Sequence, residues 1–262
     1  MGSAVGAAYR AGGARVVTTA AGRSGRTAER AAAAGLELVA DVAAVVAASD
    51  LVLSIVPPGR AREAARELAG ARLLVDCNAV SPATVLEIAG DGPDVVDGSI
   101  SGGPPGPDDG VLTRLYLSGP RAEEVAAVPA PWLDVRVVGP SLGTASAIKM
   151  CTASYYKGRS ALAAQALLAA DAMGVTDLVL DDLGDLLPGP RSVGIAAAKA
   201  WRFVDEMREI AATQGDAGLP EALFEGVAQA YEALAAASPY ASPEDVPGDV
   251  DWAAVLAALR RA

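Results

Sequence analysis

Up to residue 141 the chain repeats one pattern: short, nearly continuous apolar runs separated by Ala-rich helical stretches. ARVVTTA (14–20), LVLSIV (51–56), RLLVDCN (72–78) and VVDGSIS (95–101) are such runs. A strand that is apolar on both faces must be covered on both faces, and that is the condition of a parallel sheet layered between helices. Helical segments are expected near 25–34, 42–49, 60–69 and 81–89, with Pro82 in the first helical position behind Ser81. VLTRLYLSG (111–119) and LDVRVVG (133–139) read as two further strands, joined by a helical stretch around 120–127. The expected fold is therefore an α/β Rossmann-like parallel sheet. Beyond Ser141 the pattern changes. From Gly143 to Met173 only Gly158 interrupts a helix that is apolar nearly all round, so it is expected to be buried between domains or subunits. Helical stretches at 191–214 and 219–237, a Pro-rich loop SPYASPEDVPGD and a short last helix follow. The expected division is an α/β domain over 1–141 and an all-α domain over 142–262.

Charge and composition narrow the function. A chain of 262 residues can bury the core of two modest domains. Its net charge of -11 argues against nucleic acid and against anionic membrane surfaces as partners. No apolar run approaches the about 18 residues of a membrane span, and no basic-then-apolar leader is present, so a cytoplasmic protein is expected. There is no His, which removes His-based triads and most zinc sites; no metal is expected. Cys77 and Cys151, the two cysteines, read as small buried fillers. Lysine is scarce: Lys149, Lys157 and Lys199 are the three lysines among 21 basic residues, so a lysine at a motif position carries information.

The opening stretch MGSAVGAAYRAGGARVV reads as a helix running into a strand. A dinucleotide-binding unit begins strand, G-x-G-x-x-G, helix. If Gly2 is the last glycine of that motif, the first strand and two earlier glycines are expected upstream of residue 1, and Met1 is expected to be an internal methionine of the motif. Upstream DNA should then encode a short apolar strand ending in G-x-G, in frame. Without that strand, a sheet of order 3-2-1-4-5-6 has two unpaired strands at its middle. After the strand at 14–20 come Arg23, Ser24 and Arg26, with no carboxylate before Glu29. NAD enzymes place an acid there for the ribose, whereas NADP enzymes place Arg and Ser for the 2′-phosphate. The expected cofactor is NADP(H); the competing reading is a solvated basic loop.

Five segments in order carry a family resemblance. They are MGSAVGAAYRAGGARVV, SIVPP (54–58), DCNAVSP (76–82), DGSISGGPPGPDDGVL (97–112) and GPSLGTASAIKMCTASYYKG (139–158). Together they resemble the β-hydroxyacid dehydrogenase superfamily, which includes 3-hydroxyisobutyrate and 6-phosphogluconate dehydrogenases and the imine reductases. The resemblance implies hydride transfer between a nicotinamide and a carbonyl or hydroxyl carbon of a small acidic substrate, and the apolar helices beyond residue 142 are expected to form a homodimer interface. It makes Lys149 the proton donor or acceptor, and Ser101, Gly102 and Gly103 the substrate anchor. Thr152 stands where the family has Asn. Gly2, Val56, Pro57 and Asn78 fall on cofactor-side segments. Each has a plainer reading beside it: a snorkelling lysine, an ordinary Gly-rich turn, a loop Asn. Glu206-Met207 stands about where named members have Lys-Asp, either lining the cleft or pairing with Arg202 at i, i+4. Trp201, Phe203, Tyr155 and Tyr156 shape a pocket or fill a core. Two rival functions remain, an imine reductase and a truncated, non-catalytic family member.

Overall fold

The computed structural model describes residues 1–90, 94–107 and 113–260. The chain forms two units, Met1–Met150 and Cys151–Ala262. The first unit runs α1 (Gly2–Ala11), β1 (Val17–Thr19), α2 (Gly25–Ala33), β2 (Glu37–Val39), α3 (Val42–Ala47), β3 (Val52–Ser54), a 3-10 turn at Pro58–Arg60, α4 (Ala61–Glu67) and β4 (Leu74–Asp76). It continues through α5 (Pro82–Ala89), β5 (Val95–Ser101), β6 (Thr113–Ser118), α6 (Ala122–Ala126) and β7 (Leu133–Val137) into the start of α7 (Thr144–Ala172). Local chemistry sets several helix starts. Asp41 accepts from the Ala44 N–H ahead of α3, and Ser81 accepts from the Thr84 N–H, with Pro82 at the first position of α5.

The strands form a parallel pair β1-β2 and a five-stranded sheet in the order β3-β4-β5-β6-β7. Among the described residues, no strand pairing joins the two sheets. Alternate residues of the larger sheet feed two cores. Leu73, Val75, Val96, Leu115 and Leu117 pack with Val5, Ala8 and Tyr9 of α1. Val52, Leu74 and Val95 pack with Ala61 and Ala65 of α4 and with Val85 and Ile88 of α5. Coverage on both faces explains why the strand sequences lack polar alternation.

Two departures from the sequence reading have clear causes. β2 is only three residues long with Glu37 and Leu38 exposed, so it carries no apolar run to detect. β6 runs antiparallel to β5, whereas the remaining pairs are parallel, so the expected Rossmann-like parallel sheet carries one antiparallel pairing. A parallel neighbour needs a crossover of a dozen or more residues, usually helical. The Gly- and Pro-rich link after β5 is too short and too helix-averse to supply one. The expected strand start at Val111 and Leu112 lies outside the described residues.

The second unit is helical: the rest of α7, then α8 (Thr176–Leu183), a 3-10 turn at Gly184–Leu186, α9 (Pro190–Ala198), α10 (Ala200–Asp216), α11 (Ala222–Ala237), a 3-10 turn at Pro243–Asp245 and α12 (Trp252–Leu259). α8 has no fully buried residue, but Val179, Leu180 and Leu183 form a half-buried apolar stripe that the sequence reading left out. The stretch read as one helix over 191–214 is two, meeting at Lys199. α7 is not covered all round. Ala161, Ala164 and Leu167 are buried, but Tyr155, Tyr156 and Leu162 stay 65%, 67% and 66% exposed. Cys77 is buried and Cys151 is exposed, so only the first is a core filler. Among the described residues, no helix is long and apolar enough to cross a membrane.

Candidate active site

A polar row crosses the apolar sheet. The strand registers pair Ser54 with Asp76, Asp76 with Asp97, and Asp97 with Ser118, and all four are buried. Buried polar groups persist where their hydrogen bonds are met, and here they are met by the segments leaving the sheet. Asn78 donates to Ser54 Oγ at 3.0 Å and to Asp76 Oδ2 at 2.8 Å, and its Oδ1 accepts from the Val56 N–H at 2.7 Å. Asp97 Oδ1 accepts from Ser146 Oγ at 2.6 Å, and Oδ2 accepts from the Ser146 N–H at 3.0 Å and from Ser118 Oγ at 2.9 Å. Ser118 Oγ in turn accepts from the Ala145 N–H at 3.0 Å. The first turn of α7 is thus satisfied by side chains of β5 and β6.

One turn further, half-buried Lys149 donates from Nζ to the Ile100 carbonyl at 2.8 Å. The next residue along β5 is Ser101, followed by Gly102 and Gly103. Gly102 has φ +126, and a Cβ there would press on Thr113, so the turn requires glycine. Thr113 Oγ1 donates to the Gly103 carbonyl at 2.7 Å and fixes the turn. Lys149 and Ser101-Gly102-Gly103, widely separated in sequence, therefore meet at one strand end. The tail of the loop, 108–112, lies outside the described residues. Thr152 is exposed on α7, three residues past Lys149.

The cofactor-side residues divide. Gly2 opens α1, and a Cβ on it would lie 4.0 Å from Ile55 Cβ, which puts the start of that helix beside the end of β3. Val56 and Pro57 leave β3 under the hold of Asn78. The Asn78 side chain is itself buried and committed to Ser54, Asp76 and Val56, so it shapes this loop rather than presenting free donors. Arg23, Ser24 and Arg26 are exposed where β1 turns into α2, past Gly22 at φ +67. Among the described residues neither guanidinium has a carboxylate within ion-pair distance. Burial, with the charges of Asp76 and Asp97 beside it, pushes the Cys77 thiol well up, so it stays protonated.

In the helical unit Glu206 is buried and ion-paired with Lys157, not with Arg202. Lys157 Nζ lies 4.3 Å from the Phe203 ring centre, and Tyr231 donates its hydroxyl to the Lys157 carbonyl at 2.8 Å. Phe203 is core, edge-to-face with Tyr231, while Trp201, Tyr155 and Tyr156 are exposed. The sequence reading passed over Asp76, Asp97, Ser118 and Ser146. An acid inside an otherwise apolar strand, as in LLVDC and VVDGS, was the available signal.

The chain is 30% identical to the conserved protein MTH1747, of unknown function, whose structure has similarity with 3-hydroxyacid dehydrogenases; the match covers 88% of this chain and 92% of that one, with a TM-score of 0.62. An uncharacterized 28.5 kDa protein from the 7S RNA 5′ region of Methanothermus fervidus is 28% identical over 172 residues, 64% of this chain. That match spans 66% of the relative, just under two thirds of its length. 3-Hydroxyisobutyrate dehydrogenase from Salmonella typhimurium shares the fold, at 18% identity and a TM-score of 0.64 over 98% of this chain and 95% of that one. A domain of unknown function, DUF1932, matches residues 170–234. The chain belongs to the same family as MTH1747, a family whose structure is similar to 3-hydroxyacid dehydrogenases.

Proposed function

We propose that this chain is an NADP(H)-dependent oxidoreductase that moves a hydride between nicotinamide and a carbonyl or hydroxyl carbon of a small acidic substrate. The observation that carries the reading is the meeting of Lys149 with Ser101-Gly102-Gly103 at one strand end. The residues present fit a dinucleotide. The N-terminus of α1 sits beside the end of β3, where helix N–H groups and dipole favour a pyrophosphate. Arg23 and Arg26, which among the described residues have no carboxylate in ion-pair reach, suit a 2′-phosphate. The bound cofactor supplies or accepts the hydride.

The remaining chemistry belongs to the chain. In reduction, Lys149 gives a proton from Nζ to the carbonyl oxygen as that oxygen gains electron density; in oxidation, neutral Lys149 takes the hydroxyl proton. The Ser101 hydroxyl and the N–H groups of Gly102 and Gly103 hold the substrate's polar groups. Thr152 has the reach to donate a hydrogen bond on the same face of α7, though a hydroxyl lacks the paired donor and acceptor of an amide. Exposed Tyr155, Tyr156 and Leu162 on α7 support a homodimer, which sedimentation should return and a monomer would refute. The function is tested by following NADPH consumption with a panel of ketones and semialdehydes against a panel of cyclic imines. Turnover confined to imines that survives Lys149→Ala would replace the carbonyl reading with the imine reductase one.

A further inference from the structure

Asp97 lies on β5 between Asp76 and Ser118 in the buried polar row, and the three hydrogen bonds drawn to its carboxylate come from α7 or from Ser118 beside it. Such a carboxylate does more than fill the sheet. It receives the first turn of a 29-residue helix at a fixed height. The offset in sequence is informative. Asp97 meets Ser146 and Ile100 meets Lys149, each across 49 residues. Strand and helix therefore advance together over this stretch. Three residues of strand cover about 10 Å and three of helix about 4.5 Å, and the long unbranched lysine side chain bridges the difference. If the helix start moves, the amine moves with it.

Resting on the function proposed above, we infer that Asp97 is a positioning residue for Lys149. Its carboxylate, with Ser118 and Ser146, sets the register of α7 on β5 and so keeps Nζ at the Ile100 carbonyl, one residue from Ser101. Asparagine in its place keeps one acceptor oxygen but turns the other into a donor. It can no longer accept from both the backbone N–H and the hydroxyl of Ser146 and also from Ser118. The start of α7 then has an unmet hydrogen bond in a buried place.

Because the chain has only three lysines, the test needs no substrate. Protein labelled with carbon-13 at lysine Cε yields three side-chain signals, assigned by Lys157→Arg, Lys199→Arg and Lys149→Ala. A held lysine shows two inequivalent Hε protons, and a freely turning one shows a single averaged position. Wild-type Lys149 is expected to show the split pair. In Asp97→Asn the splitting is lost for Lys149 alone, while the Lys157 and Lys199 signals stay in place. Ser146→Ala and Ser118→Ala, milder changes that keep the carboxylate, are expected to reduce the same splitting in part and carry the test should Asp97→Asn fail to fold. An unchanged Lys149 signal in folded Asp97→Asn, or in both serine variants, overturns the inference. So does a common change in all three lysines, which is general loosening and not positioning. Full turnover by Lys149→Ala would refute the proposed chemistry while leaving this readout standing, so the two failures are told apart.

Discussion

Lys149 and Lys157 lie two turns apart on one helix and meet opposite surroundings. Lys149 gives a hydrogen bond to a backbone carbonyl at the end of a strand, beside a glycine turn. Lys157 faces a carboxylate that is 4% exposed, lies over the Phe203 ring, and has its own carbonyl held by Tyr231. The difference shows what the environment makes of an identical side chain. A buried ion pair binds both partners to each other, so removing one leaves the other charged and stranded. A backbone carbonyl that loses its lysine donor is left neutral, at a much smaller cost. One lysine can be given up without leaving a charge behind; removing the other leaves Glu206 buried and unpaired.

The largest expected effect breaks the comparison on the side of Lys149. Lys149→Ala should lower kcat on the best carbonyl substrate by roughly 10²–10⁴-fold, the typical contribution of a positioned acid. Its melting temperature and NADPH affinity should stay close to wild type. Lys149→Arg should rescue little, since a guanidinium releases its proton badly. A normal rate in Lys149→Ala would remove the proposed role.

Lys157→Ala should behave in the reverse way, losing about 3–5 kcal/mol of stability through the stranded Glu206, read as a lower urea midpoint. Replacing both partners, Lys157→Met with Glu206→Leu, should recover most of the loss, because a pair of apolar groups leaves no buried charge. A double variant as unstable as Lys157→Ala would show that Phe203 and Tyr231, not the charges, are what the lysine supports.

The smallest effect concerns the exposed arginines. Arg23→Ala with Arg26→Ala should reduce the preference for NADPH over NADH by roughly ten- to hundredfold, the scale of lost charged hydrogen bonds, with folding unaffected. Equal binding of the two cofactors by the wild type would end the phosphate reading. Titration calorimetry measures both.

Much of this molecule could be read along the chain, because the informative signals were local. Apolar runs such as LVLSIV are strands for the reason that both faces are covered, and Ser81-Pro82 announces a helix start within two residues. The segments holding Lys149 and Ser101-Gly102-Gly103 were likewise recognisable as short motifs. What could not be read were partners. β2 is too short and too exposed to leave a pattern, and the partner of Glu206 lies nearly fifty residues away on another helix, whereas sequence spacing pointed to nearby Arg202.

By itself, then, the sequence determined the apolar strands other than β2, the covering of the sheet on both faces, and which residue types stand at the strand ends. Those properties follow from local backbone preference and from periodic burial, which nearest neighbours decide. The tertiary structure alone decided the register, and register is what lines up Ser54, Asp76, Asp97 and Ser118 across four strands. A shift of one residue in any strand would turn its polar member to the opposite face. Only the folded sheet, by bringing Asp97 to the start of α7, makes a buried acid into the support of a lysine 52 residues further along the chain.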